Sequence, residues 1–356
     1  MNKQLKRFMS ELPQEIDAGL ILSDVNRQYF LDFHSSAGVL LVTRKNAYFI
    51  IDFRYYEIAK KSIEDCEVIL MDGFSKQFQK LLCEEKIHTI AVESEYITLN
   101  ELHQYQNAFP SVIFSQSLEF DRLIKSMRSI KTAEEIRRIS EAQKITDAAF
   151  TDILNVIRKG MTEKQIAMEL EYSMKRHGAD AFAFDTIVVS GKNSSLPHGV
   201  PSDKTVEEGD FITMDFGARW NGYNSDMTRT VSIGQISEEQ QKVYQTVLEA
   251  QRLVLDQIKS GISCLEIDRL ARDYIYQNGY QGCFGHGLGH SVGIEIHELP
   301  AFNMRDTTLT QDGMVITVEP GIYLEGLFGV RIEDMIVVQG DGCINLTSSP
   351  KNLISL

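Results

Sequence analysis

Short apolar runs alternate with amphipathic stretches through residues 1–122. Gly19–Leu22, Val39–Val42, Tyr48–Ile51, Val68–Leu70 and Thr89–Val92 have the length and composition of strands. Arg54–Ile63, Ser75–Glu85 and Leu99–Ala108 space their apolar residues along one face of a helix. This alternation predicts a small α/β domain. It holds no glycine-rich phosphate loop, no paired nucleophile and base, and no cluster of metal-ligating residues. A charged helical stretch begins near Leu123, so a second domain is expected over 123–356.

The pattern changes there, because the second part repeats itself. Gly209-Asp-Phe-Ile-Thr-Met-Asp215-Phe-Gly217 and Gly313-Met-Val-Ile-Thr-Val-Glu319-Pro-Gly321 each set one carboxylate six residues after a glycine, at the end of an apolar, β-prone run. Gly160 and Gly178 are separated by eighteen residues, as are Gly261 and Gly279. Thr162–Gln165 and Ser263–Glu266 read as capping boxes just after the first glycine of each pair. Thr132–Glu135 and Ser237–Gln240 read the same way and open a longer helix in each half. The expected fold is therefore two copies of helix–helix–hairpin about a pseudo-two-fold, with the paired carboxylates near its axis.

The first hairpin can be set in register. Asn221-Gly222 is a strong signal for a two-residue turn, which pairs Trp220 with Tyr223, Gly217 with Asp226 and Asp215 with Thr228. Residues two apart share a face, so Asp215 and Asp226 become diagonal neighbours on one side of the ribbon. In the second hairpin, Arg331 and Glu333 share a face, and Glu319 and Glu333 are expected to play the parts of Asp215 and Asp226.

Composition narrows the class. The chain has 356 residues, 43% of them hydrophobic and 24% charged, as in an ordinary globular protein. The N-terminal stretch has no apolar core like that of a signal peptide, and no later run could span a bilayer. The five cysteines are scattered without Cys-x-x-Cys spacing, which suits reduced thiols and a cytoplasmic location. A formal charge of −14 argues against nucleic acid as a partner.

Among 50 aspartates and glutamates a single acid is ordinarily a solvated surface group. Acids that interrupt buried-type strands in matching repeats are different, because burying an unpaired charge is costly. Between the repeats lie His286, His290 and His297, in Gly285-His-Gly-Leu-Gly-His-Ser-Val-Gly-Ile-Glu-Ile-His297, and upstream stands His198 in Leu196-Pro-His-Gly199. Four carboxylates repel one another unless cations neutralise them, and two divalent ions would balance their charge. Oxygen ligands with one imidazole favour Mn, Fe(II), Co or Zn over Ca or Mg and exclude a thiolate site.

The set Asp215, Asp226, His290, Glu319 and Glu333 resembles the five-ligand signature of the pita-bread metallopeptidases, the group of methionine aminopeptidase, aminopeptidase P and prolidase. Met214-Asp-Phe-Gly217, Ser225-Asp-Met-Thr-Arg229, Val318-Glu-Pro-Gly-Ile-Tyr323 and Val330-Arg-Ile-Glu333 match as well, and Asp52-Phe-Arg-Tyr55 resembles a segment of the N-terminal domain of aminopeptidase P and prolidase. The resemblance implies an α/β N-terminal domain, a pita-bread catalytic domain, and a bound pair of divalent ions, foremost Mn2+ with Co2+, Zn2+ or Fe2+ as alternatives. It implies Asp226 and Glu333 as bridging ligands, Asp215 on one ion, and His290 and Glu319 on the other. Glu319 would also accept a proton from water. His198 and His297 would stabilise the tetrahedral intermediate and hold substrate, with His286, Tyr323 and Arg331 near substrate or ligands. The implied reaction is hydrolysis of an Xaa-Pro bond in proline-containing peptides, and the implied assembly is a homodimer. Many prolidases carry an arginine four residues after the histidine matching His297, to grip a dipeptide's carboxylate; Ala301 stands there instead. The resemblance therefore points to aminopeptidase P, with prolidase as the alternative. Metal-free binding proteins and a creatine hydrolase share the fold but have generally lost several of the five ligands, all of which are kept here.

Overall fold

The apolar runs of the N-terminal stretch become a single mixed sheet in the computed structural model, which describes residues 3–356. Its strands are β1 (Ala18–Ile21), β2 (Val39–Thr43), β3 (Ala47–Ile51), β4 (Glu67–Leu70), β5 (Thr89–Val92) and β6 (Ile113–Ser115), in the order β4-β3-β2-β1-β5-β6. The β1–β2 and β2–β3 pairs are antiparallel and the other three parallel. Helices α1 (Lys3–Glu11), α2 (Asp24–Leu31), α3 (Phe53–Ser62), α4 (Phe74–Glu84), α5 (Leu99–Ala108) and α6 (Leu118–Ser129) complete it. Asp52 of the Asp-Phe-Arg-Tyr segment is the N-cap of α3, its side chain accepting from the Arg54 amide. The chain divides into two compact units after Met127, within α6, whereas the sequence pattern set the change near Leu123.

The second unit, Arg128–Leu356, carries the repeat. In the first copy α7 (Ala133–Ile153) and α8 (Glu163–Arg176) precede β7 (Ala181–Phe182), β8 (Ile187–Ser190) and the hairpin of β9 (Phe211–Phe216), β10 (Ala218–Trp220), β11 (Tyr223–Asn224) and β12 (Met227–Ser232). In the second copy α9 (Glu238–Gln257) and α10 (Cys264–Gln277) precede β13 (Gly289–Ser291), β14 (Glu298–Phe302) and the hairpin of β15 (Val315–Val318), β16 (Gly321–Leu324), β17 (Phe328–Arg331) and β18 (Asp334–Gln339), followed by β19 (Gly342–Asn345). The four marker glycines all adopt positive φ, 91° and 98° at Gly160 and Gly178, and 86° and 96° at Gly261 and Gly279. Each ends or precedes a helix in a conformation that glycine adopts without strain.

Three of the four expected capping boxes form, at Thr132, Thr162 and Ser237. Ser263 is an N-cap by position, but its side chain makes no capping bond; the amide of Cys264 donates to the Thr308 carbonyl at 2.9 Å. Each copy has its own core. Ile166, Leu170, Met174 and Met214 pack with Phe150 in the first, and Ile267, Ala271, Ile275 and Val318 with Phe284 in the second. Among the described residues no helix is long and apolar enough to cross a membrane, and the five cysteines are free thiols.

Candidate metal centre

The first hairpin has the register its sequence predicts. Trp220 faces Tyr223, Asp215 faces Thr228 and Met227 faces Phe216, so the intervening Asp226 falls opposite Gly217. Only glycine fits at 217, because a Cβ there would stand 2.0 Å from the Ser225 carbonyl oxygen. The ribbon therefore closes tightly where its two acids converge. One oxygen of Asp215, Oδ2, accepts from Arg331 Nη2 at 2.5 Å. The other, Oδ1, is buried without a hydrogen-bond partner.

The second hairpin has a different relation between its acids. Val318 faces Asp334 and Gly321 faces Arg331, which sets Glu319 directly opposite Glu333 instead of diagonal to it. In register, Glu333 occupies the place of Thr228, and Arg331 the place of Asp226. The expectation that Glu333 repeats Asp226 is corrected at this level, although Glu333 still joins the cluster. The two strands meet at the local two-fold: the Glu333 amide donates to the Thr228 carbonyl at 3.1 Å, and Arg229 pairs with Asp334, its register counterpart, at 2.8 Å.

His290 lies on β13 beside this hairpin. Its amide donates to Thr317 Oγ1 at 3.0 Å, and the same hydroxyl donates to Glu319 Oε1 at 3.1 Å. Its Nδ1 lies 3.3 Å from the Ser291 carbonyl, a partner that requires the proton on Nδ1. The Nε2 lone pair is thereby left facing the acids, 3.5 Å from both Asp226 Oδ2 and Glu319 Oε1, an acceptor-on-acceptor arrangement that a cation between them would relieve. Ligand atoms of Asp226, His290 and Glu333 all lie within 4.8 Å of one another.

These residues line one cavity of about 530 Å³ together with His198, Asp215, His286, His297, Glu319 and Arg331. His297 packs its ring edge-on to His290, with centroids 4.3 Å apart. Tyr323 is reached from this lining through a hydrogen-bonded chain. Its hydroxyl accepts from Arg331 Nη1 at 2.8 Å and lies 2.9 Å from His286 Nε2. His286 Nδ1 faces the Gly287 carbonyl at 2.7 Å and so carries the proton, leaving Nε2 to accept from Tyr323. Arg331 also donates from Nε to Thr228 Oγ1 at 3.0 Å and from Nη1 to the Pro197 carbonyl at 3.2 Å. Its guanidinium is buried and most of its donors are engaged, which leaves no free fork for a substrate carboxylate.

Two residues support the site in roles that the sequence does not assign them. Thr228 donates to Glu333 Oε2 at 2.7 Å, and its strand parity with Asp226 was a usable signal. Lys131, almost fully buried, donates to Ser291 Oγ at 2.9 Å and pairs with Glu298 at 3.1 Å, bracing the neighbours of His290 and His297. Nothing in the local sequence marks it.

Electrostatics describe a site that requires cations. Burial, and then the charges of its acidic neighbours, hold Asp226 and Glu333 well above the usual carboxylate range. Burial, and then the Asp215 charge against an opposing Arg331, push Glu319 up to about 8. Burial and the adjacent His297 bring His290 down to about 4, so its imidazole is neutral, as a metal ligand must be. An unpartnered buried oxygen on Asp215, a neutral imidazole aimed at acids, and carboxylates crowded together in a buried cavity form a donor set that fits divalent ions.

Sequence and fold comparisons agree with this chemistry. Residues 137–340 match the model of metallopeptidase family M24, and residues 3–130 match the creatinase/prolidase N-terminal domain. The chain belongs to family M24 and is a metallo-exopeptidase with an α/β N-terminal domain and a pita-bread C-terminal domain. It is 38% identical to the Xaa-Pro dipeptidase of Pyrococcus horikoshii over 99% of both chains. Among solved structures it resembles an Xaa-Pro dipeptidase from Bacillus anthracis (TM-score 0.94, 41% identity, 99% of this chain and 98% of that one). It also resembles an X-Pro aminopeptidase from Thermotoga maritima MSB8 (TM-score 0.92, 40% identity, 99% and 100%).

Proposed function

We propose that the protein hydrolyses the Xaa-Pro bond at the N-terminus of peptides, with residues 123–356 as the catalytic domain. The observation that carries this reading is the convergence of Asp215, Asp226, His290, Glu319 and Glu333 with His198 and His297 in one cavity. Asp226 and Glu333 would bridge two ions, Asp215 would bind one of them, and His290 and Glu319 the other. Mn2+ is the proposed metal, with Co2+, Zn2+ and Fe2+ as competitors. Bound divalent ions supply Lewis acidity and activate water near neutral pH. Glu319, held by Thr317, takes the proton from the attacking water. His198 and His297, exposed in the cavity lining, donate to the oxyanion that develops on the scissile carbonyl. The Arg331–Tyr323–His286 chain fixes Asp215 and the cavity wall. Proline's ring and missing N–H distinguish the bond that is cut.

Substrate length follows from the charges that line the cavity. Ala301 is the register partner of His290 and lines the cavity, so an arginine there would reach substrate. Among the described lining residues Arg331 is the lone Lys or Arg, and its fork is engaged. Peptides of the form Xaa-Pro-Yaa are therefore the preferred substrates. The second reading is an Xaa-Pro dipeptidase, favoured by the names of the relatives from Pyrococcus horikoshii and Bacillus anthracis. Comparing kcat/KM for Xaa-Pro and Xaa-Pro-Yaa under Mn2+ decides between them: a preference for dipeptides establishes the second, and no cleavage of either sinks both. A cytoplasmic homodimer completes the proposal. Free thiols support the location, and sedimentation velocity tests the assembly.

A further inference from the structure

His198 stands on a segment whose two ends are tied to the same carboxylate. Glu163, fully buried in the first turn of α8, accepts from Ser190 at the start of that segment, with the amide at 2.6 Å and the hydroxyl at 3.0 Å from Oε1. It accepts from Ser202 at the end, with the amide at 3.0 Å and the hydroxyl at 2.6 Å from Oε2. Asn193, between them, places Nδ2 3.1 Å from Oε1 and 3.3 Å from Oε2. The segment then turns at Leu196–Gly199, closed by the Gly199 amide on the Leu196 carbonyl at 3.1 Å. Gly199 is pressed so closely on Val189 that a Cβ there would lie 2.6 Å from Val189 Cγ1.

His198 sits in this turn, exposed, and its ring makes no hydrogen bond to another described residue. Its place over the cavity is set by where the backbone is held. The repeat adds an independent observation. Glu163 follows Thr162 as Cys264 follows Ser263, so the second copy has a buried thiol where the first has this carboxylate. Both copies carry a candidate oxyanion donor beyond this helix, His198 in one and His297 in the other, and in the first the buried carboxylate ties the donor's segment.

We propose that Glu163 is a positioning residue for His198, closing the Gly191–Pro201 segment into a fixed loop so that the imidazole meets the scissile carbonyl. The inference rests on the catalytic part given to His198 above. Glutamine cannot replace Glu163 without loss. Whichever way its amide is turned, one NH2 faces the backbone amide of Ser190 or of Ser202, donor against donor.

The test is a double-mutant cycle on kcat for Xaa-Pro-Yaa cleavage by the Mn2+-loaded enzyme, using Glu163→Gln, His198→Ala and the double variant. Glu163→Gln is expected to lower kcat by about ten-fold or more with both metals retained, and to cost less than about two-fold in the His198→Ala background. Equal losses in both backgrounds, or loss of metal in Glu163→Gln, overturn the proposal. A His198→Ala enzyme with unchanged turnover overturns the role of His198 itself and the inference with it. Should Glu163→Gln fail to fold, Ser202→Ala, which removes one of the two bonds at that end of the loop, takes its place in the cycle with a smaller loss expected and the same criterion.

Discussion

Thr228 Oγ1 donates to Glu333 Oε2 at 2.7 Å, and these two residues hold the same place in the two hairpins, one opposite Asp215 and the other opposite Glu319. The hydroxyl also accepts from Arg331 Nε at 3.0 Å, so it fixes the orientation of an acid and a guanidinium at once. Thr228→Val keeps the shape and removes both bonds. The expected result is about 1–3 kcal/mol of lost stability from the stranded partners and metal binding weakened by roughly 10–100-fold. Calorimetric titration with Mn2+ measures the second effect. An unchanged affinity would show that Glu333 needs no such support.

Asp226→Asn should abolish turnover and lower the bound metal below two ions per chain, since one charge is lost from the acids that jointly hold the pair. His290→Ala should lower metal occupancy as well, but spare the ion assigned to Asp215. Metal analysis after gel filtration reads both. Two ions retained with near-normal turnover in Asp226→Asn would remove it from the bridging position.

Stripping the metal should expose a pH dependence of definite sign. Glu319 rises from an ordinary 4.5 to about 8 because of burial and then the Asp215 charge. A group with a raised folded value contributes its full stability below about pH 4.5 and loses it as the pH climbs through about 8. Asp226 and Glu333 shift in the same direction. The gap in Tm between Mn2+-loaded and chelator-treated protein should therefore widen from pH 5.5 to pH 8.5. A gap that narrows over this range would contradict the crowding of acids described here.

Ala301→Arg should raise cleavage of Xaa-Pro dipeptides relative to Xaa-Pro-Yaa. A charge-assisted contact to the free carboxylate contributes about 1.5–3 kcal/mol, which is roughly ten-fold or more in kcat/KM. A wild-type enzyme that already prefers dipeptides would leave the new arginine without an effect to produce.

Local rules made part of this molecule legible in its sequence. Asn221-Gly222 sets the first hairpin's register because a two-residue turn leaves no freedom in the count, and Asp215 faces Thr228 as expected. The glycine spacing marks real helix ends because those positions need positive φ. Other features depend on partners distant in sequence. Ser263 begins its helix without closing the box, and the helix start is tied to the distant Thr308 carbonyl through the Cys264 amide. Arg331 is placed near substrate or ligands by its motif, and Asp215, Thr228, Tyr323 and Pro197 surround it in the fold. Strand β6 is only three residues long, and so short a run carries no periodicity by which to read it.

The Arg229–Asp334 pair has a consequence for how such a chain could have arisen. The two residues are register counterparts that touch each other, one opposite Met214 and the other opposite Val318. In an ancestor assembled from two identical copies, that contact would have set arginine against arginine or aspartate against aspartate, in the dry centre of the assembly. Fusion into one chain is what lets each half acquire the charge that the other lacks. The same freedom gives His290 to one half only, with Val189 before Ser190 where His290 precedes Ser291. A symmetrical scaffold thus came to hold a lopsided centre, and reverting either half to the other's residues would restore the conflict that divergence removed.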